Sequence, residues 1–142
     1  MSPAEFVKKD GRLLALIVRA DFNQRGSVPF SEDKMPLQLV VMNKETGEGV
    51  DAHVHPPSQS AEQIGRSRHE VLHVSKGKVE VGVYERDGRL VRKVVLSTGD
   101  TILLTEGHST RFLEDTKIIE VKEGVYPGKA HDKIWLAPES DN

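Results

Sequence analysis

Two histidines one residue apart, His53 and His55, open the argument. On a strand, residues i and i+2 point to the same face, so this spacing puts two imidazoles on adjacent pleats, suited to chelating one ion. Glu70 begins a later segment whose same-face neighbours are Leu72 and Val74. If that face lines an interior, an unpaired carboxylate there is costly, and a cation compensates for it. Two neutral imidazoles and a carboxylate form a facial ligand set that leaves other coordination positions open. Iron(II), manganese, nickel and zinc all accept such ligands, and the residue types do not choose between them. The chain has no cysteine, which excludes thiolate metal sites and a disulfide scaffold and fits a reducing compartment.

The elements that must position these groups read as short strands. Residues 12–19 form an N-terminal strand and 37–42 another, with a polar, irregular connection from Asp21 to Pro36 that holds Gly26 and Pro29. Asn43 to Gly47 is a turn signal, followed by a strand reaching His55. Pro56-Pro57 then stops it, because proline cannot donate to a ladder. Residues 58–67 are polar and read as a loop or short helix. Val71 to Val74 is a strand, and Val79, Val81 and Val83 alternate with Glu80, Gly82 and Tyr84 in the next. Asp87-Gly88 is a strong hairpin signal into residues 90–96. Gly99-Asp100 and Glu106-Gly107 turn the chain into and out of residues 101–105, and Thr116 to Lys122 is a further strand. Eight or more short strands at this spacing predict an all-β barrel or sandwich. One domain spans residues 1–142, with its core barrel at about 36–123 and a tail, 124–142, packed across the outside.

Composition narrows the function classes. The net charge is −2, with charges interspersed rather than blocked, so no basic face suggests a nucleic-acid partner. The N-terminal residues show no apolar stretch of the secretory type, and the longest apolar run, 13–18, is too short to span a bilayer. A cytoplasmic protein without a membrane partner is expected. That apolar run exceeds what one strand buries on one side, which points to an edge or interface role and, with it, a homodimer.

In this setting the residues resemble the cupin superfamily, whose first motif reads G-x5-H-x-H-x3,4-E-x6-G. Gly47, His53, His55, Glu70 and Gly77 fill its slots. The departure is the gap before the glutamate, where fourteen residues separate His55 from Glu70. Residues 56–69 read as an insertion at the barrel mouth that could form a lid. The alternative, Glu62 in the glutamate slot, lacks the glycine seven residues later. The second motif, G-x5-P-x-G-x2-H-x3-N, matches less well. Gly99 and Gly107 fit, but Thr105, Thr110 and Glu114 replace the proline, histidine and asparagine. His108 lies two residues before Thr110 and shares its face on a regular strand. The stretches around Gly107-His108 and 112–126 also resemble a subgroup of small cupins, some encoded beside surface-polysaccharide genes, that place a histidine in this position.

The resemblance implies a cupin-type jelly roll with His108 as a fourth metal ligand beside His53, His55 and Glu70. It also implies a mouth that takes a small polar molecule. The catalytic residues stay open. One reading is a metal-dependent enzyme on a sugar or hydroxy acid. Another is a non-catalytic ligand binder, because no second acid/base pair is evident on the interior strands. The third is an oligomeric accessory protein with an apolar outer face around Val71 and His73. Arg66 and Arg68 are loop charges that could meet an anionic substrate. His69 and His73 fall on the face opposite Glu70, and His131 lies in the polar tail.

Overall fold

The structure is a computed structural model that describes residues 4–57 and 67–136. The described residues form twelve strands and no helix: β1 (Glu5–Lys9), β2 (Arg12–Ile17), β3 (Gly26–Pro29), β4 (Leu37–Lys44), β5 (Gly49–Val54), β6 (Glu70–Lys76), β7 (Lys78–Tyr84), β8 (Leu90–Ser97), β9 (Thr101–Leu104), β10 (Gly107–Phe112), β11 (Thr116–Glu123) and β12 (Ile134–Trp135). Ten of them make two five-stranded sheets, ordered β12-β5-β10-β7-β8 and β3-β4-β11-β6-β9, and β1 and β2 pair as a separate hairpin. Every pairing is antiparallel. The sheets share one apolar core. Val79, Val81 and Phe112 from the first meet Leu72, Val74, Leu104 and Ile118 from the second. The alternation that fills this core is the period of two that puts successive side chains on opposite faces, and the architecture is a jelly roll.

Three boundaries differ from the sequence reading. The N-terminal strand ends at Ile17 rather than residue 19, and the residues before it are a strand as well. Asp10 and Gly11 take positive φ, 52° and 75°, the conformation that an Asp-Gly hairpin turn requires. The irregular connection contains β3, which adds an edge to β4 through Val28↔Val41. The tail does not merely lie outside. Its β12 extends the first sheet, pairing Ile134 with Val54 and Trp135 with His53.

Gly77 carries the tight turn between β6 and β7. Its φ is 105°, and a Cβ there would meet the Asp115 carbonyl oxygen at 2.5 Å and the Thr116 Cα at 2.8 Å. Gly77→Ala is therefore expected to lower stability by roughly 1–3 kcal/mol from backbone strain alone. A urea midpoint equal to that of the parent would count against this account of the turn.

Candidate metal centre

β5 brings His53 inward near its end, and His55 follows just past it; both are buried. β10 brings His108 opposite His53; β10 pairs regularly with β7, and the irregularity in its pairing with β5 places the extra residue on the β5 side, between Val50 and His53. A bulge that re-aims a side chain is a common device beside functional sites. These three come from one sheet. Glu70, the first residue of β6, reaches in from the other. The ring centroids of His53 and His108 are 4.5 Å apart, those of His53 and His55 4.9 Å, and those of His55 and His108 5.5 Å. Glu70 Oε1 lies 2.6 Å from His108 Nε2, and its Oε2 lies 3.2 Å from His55 Nε2. All four residues expected from the sequence are thus brought together.

The imidazoles are oriented alike. Nδ1 of His53 donates to the Asp51 carbonyl at 2.7 Å, Nδ1 of His55 to the Asp132 carbonyl at 2.9 Å, and Nδ1 of His108 to the Glu106 carbonyl at 3.2 Å. A carbonyl only accepts, so each bond assigns the proton to Nδ1 and leaves Nε2 to face the centre. Metal-ligating histidines are fixed in this way. Glu70 Oε2 is buried and receives no hydrogen bond. It faces an Nε2 that carries a lone pair when Nδ1 holds the proton, and either a further proton or a cation resolves that contact. This orphaned oxygen and the donor set both fit a divalent ion held by His53, His55, His108 and Glu70.

The electrostatics follow from burial. Removal from water, and then the nearby His108, lower the His53 imidazole to about 3, so it is neutral and free to ligate at pH 7. Burial works against a charged His55, but the adjoining Asp132 and the Glu70 carboxylate outweigh that and raise it. Burial likewise opposes ionisation of Glu70, yet the His108 imidazole, with His55 and Glu120 beside it, holds its carboxyl well below the usual range.

Three functional-site residues were not anticipated. Glu120 and Lys122 on β11 face inward and are buried. Glu120 forms a second possible ligand group with His55 and Glu70. Burial and the neighbouring Glu70 charge push its carboxyl up to about 8. Lys122 Nζ lies 4.0 Å from Glu120 Oε1 and 3.3 Å from Asp132 Oδ2. The interior therefore does hold a carboxyl and an amine beside the ligands, contrary to the sequence reading. Asp132, in the tail, is the third.

Other candidates lie elsewhere. Arg68 is fully buried and bonded within the fold, so it is not a loop charge waiting for a substrate. His69 sits beside Glu123 and His73 bonds Thr101, both away from the centre, and His131 is exposed. Glu62, Arg66 and most of the 56–69 insertion fall outside the described residues. A cleft of about 390 Å³ between Phe22, Asn43, Lys76, Asp115 and Lys117 lies at the other end of β11. No helix among the described residues is long and apolar enough to cross a membrane.

A jelly roll that gathers three imidazoles and a carboxylate at one end belongs to a recognisable architectural class, and solved structures identify it as the cupin fold. A cupin superfamily protein from Desulfitobacterium hafniense superposes with a TM-score of 0.54 at 13% identity, over 75% of this chain and 84% of that one. KdgF from Halomonas sp. superposes at 0.51 with 20% identity, over 73% and 80%. Oxalate decarboxylase from Bacillus subtilis gives 0.56 at 18% identity over 72% of this chain, which spans 24% of that longer protein. No protein-family profile matches the sequence, and no curated protein matches it.

Proposed function

We propose that this chain is a divalent-metal-binding cupin in which His53, His55, Glu70 and His108 hold one ion beneath a pocket for a small polar ligand. The observation that carries the reading is the gathering of three imidazoles, each with Nδ1 tied to a carbonyl, beside a buried carboxylate whose Oε2 has no donor. The oxalate decarboxylase of Bacillus subtilis is described by its Mn(II) centres, which supports a metal role for such a fold without naming this chain's ion. When bound, the ion would supply Lewis-acid polarisation of a ligand oxygen. Glu120 and Lys122 add an acid/base pair to the same chamber, and this favours an enzyme acting on a sugar or hydroxy acid over a passive binder.

Elemental analysis of purified protein tests the shared premise. One equivalent of metal is expected in the parent and none in a His53→Ala, His55→Ala double variant; equal content in both would remove the proposal. Trp135 offers a second readout, because it is the sole tryptophan and its ring centroid is 5.6 Å from that of His53. Titration with Co(II) is expected to quench its fluorescence with an endpoint at one ion per chain. An unchanged emission would argue that the ion sits elsewhere. Product formation from sugars or hydroxy acids then separates enzyme from binder.

The assembly proposed is a homodimer. Phe6, Val7 and Leu14 of the β1–β2 hairpin are exposed, and a lone two-stranded hairpin is marginal in water. A second copy is the cover this reading assigns to it. Light scattering is expected to give a dimer mass, with a monomer for a variant lacking residues 1–18; a monomeric parent at micromolar concentration would end this part.

A further inference from the structure

We infer that Asp132, gripped by Arg68, is the positioning residue that holds His55 as a metal ligand, so that the C-terminal strap is part of the metal centre. The inference rests on the metal reading above and adds to it a residue 77 positions downstream of the ligand it serves.

The geometry is specific. The Asp132 backbone carbonyl accepts the His55 Nδ1 proton at 2.9 Å, while its carboxylate Oδ2 stands 3.7 Å from the same nitrogen. A carbonyl on a tail holds a ring only if the tail is itself held, and here it is held at several points. Arg68 Nη2 donates to both the Asp132 carbonyl at 3.0 Å and its Oδ1 at 2.8 Å. The remaining guanidinium donors go to the carbonyls of Pro56 at 2.8 Å and Glu123 at 3.3 Å. Lys122 Nζ faces Asp132 Oδ2 at 3.3 Å, and the Arg68 amide donates to the His55 carbonyl at 2.8 Å. One guanidinium thereby ties the residue after His55, the end of β11 and the strap into a single frame. Just beyond, β12 pairs with β5, and the Leu136 amide donates to the Ala52 carbonyl at 2.9 Å. Of the three carbonyls that orient the imidazoles, those on His53 and His108 belong to residues two positions away along the chain. Only the His55 carbonyl comes from a distant segment, so only that Nδ1 hydrogen bond depends on the tail staying docked. Outer partners of this kind typically contribute 10–100-fold to metal affinity.

The test uses the full chain and Co(II) alone. Asp132→Ala is expected to weaken Co(II) binding 10–100-fold. In the Co(II)-loaded protein, the exchangeable Nδ1–H resonance of His55 is expected to exchange with water faster, with those of His53 and His108 unchanged. Asp132→Asn keeps an acceptor for Arg68 and should recover part of the affinity. It also serves as the working variant if the alanine form does not fold. Parental affinity together with a slowly exchanging His55 N–H in both variants would overturn the inference and leave the metal reading intact. A parent that takes up no Co(II) would instead defeat that reading, and the inference with it.

Discussion

Saturation with its divalent ion is expected to raise the melting temperature of this protein by roughly 8–16 °C over the chelated form. At a free concentration of about 1,000 times the dissociation constant, a ligand specific to the folded state stabilises by about 4 kcal/mol. For a chain of this size each kilocalorie shifts the midpoint by about 2–4 °C. The reason to expect the full linkage lies in the topology. His53, His55 and His108 stand on the β12-β5-β10-β7-β8 sheet, and Glu70 stands on the other. One ion would therefore cross-link the two sheets at an end where buried polar groups replace apolar packing. A site confined to one strand would be half formed in the unfolded chain and would stabilise less. The measurement is a thermal melt with and without excess chelator, repeated on the His53→Ala, His55→Ala variant. A parent whose midpoint ignores both metal and chelator would contradict the cross-link.

The readable parts of this site are those written in local spacing. His53 and His55 sit two apart on a strand, and Gly77 must follow Glu70 at a fixed interval because the turn after β6 needs its positive φ. These signals survive any amount of tertiary rearrangement. His108 was legible only through the face it shares with Thr110 and through the family resemblance, since the pairing that sets it opposite His53 has no signature in residue type. Glu120 and Lys122 were hidden by their own strand. In Thr116–Glu123 the even positions hold Ile118, Glu120 and Lys122, whereas the odd positions hold Ile119 and Val121. The more apolar face is therefore the outer one, and alternation alone points the wrong way. Only the pairing of Glu120 with Leu72, and of Lys122 with Glu70, turns the charged set inward. Asp132 lay in a polar tail with neither period nor motif, and the contact that gives it meaning spans most of the chain.

The same outer face carries apolar residues of β6, β9 and β11. Val71 pairs with Val121 on one side and with Leu103 on the other, and Leu103 is largely exposed. These residues lie where the accessory reading expects an apolar outer face, around Val71 and His73. It does not compete with the metal site, because the two occupy opposite faces of one sheet.

Replacing Arg68 with methionine is expected to cost about 3–5 kcal/mol in the metal-free protein, the penalty of stranding a buried charge when its partner is removed. Its side chain is fully buried, and its donors serve the Asp132 carboxylate and the carbonyls of Pro56, Glu123 and Asp132. Methionine fills much of the volume yet removes the guanidinium donors from those oxygens, so the loss reports polar satisfaction rather than a cavity. Lys122 remains beside Asp132 and limits the damage, which makes Arg68→Met together with Lys122→Met more than additive. Burial and its bonds act on the Asp132 carboxyl in opposite directions, and those to His55, Lys122 and Arg68 win, holding it far below the usual value. The carboxylate is thus charged at any working pH and needs its cations throughout. Urea unfolding in the presence of chelator separates this effect from any loss of metal. A cost under about 1 kcal/mol, the level of an exposed ion pair, would show that Arg68 is free to leave its acceptors, and would return it to the role of an anion-binding side chain that its place in a polar loop first suggested.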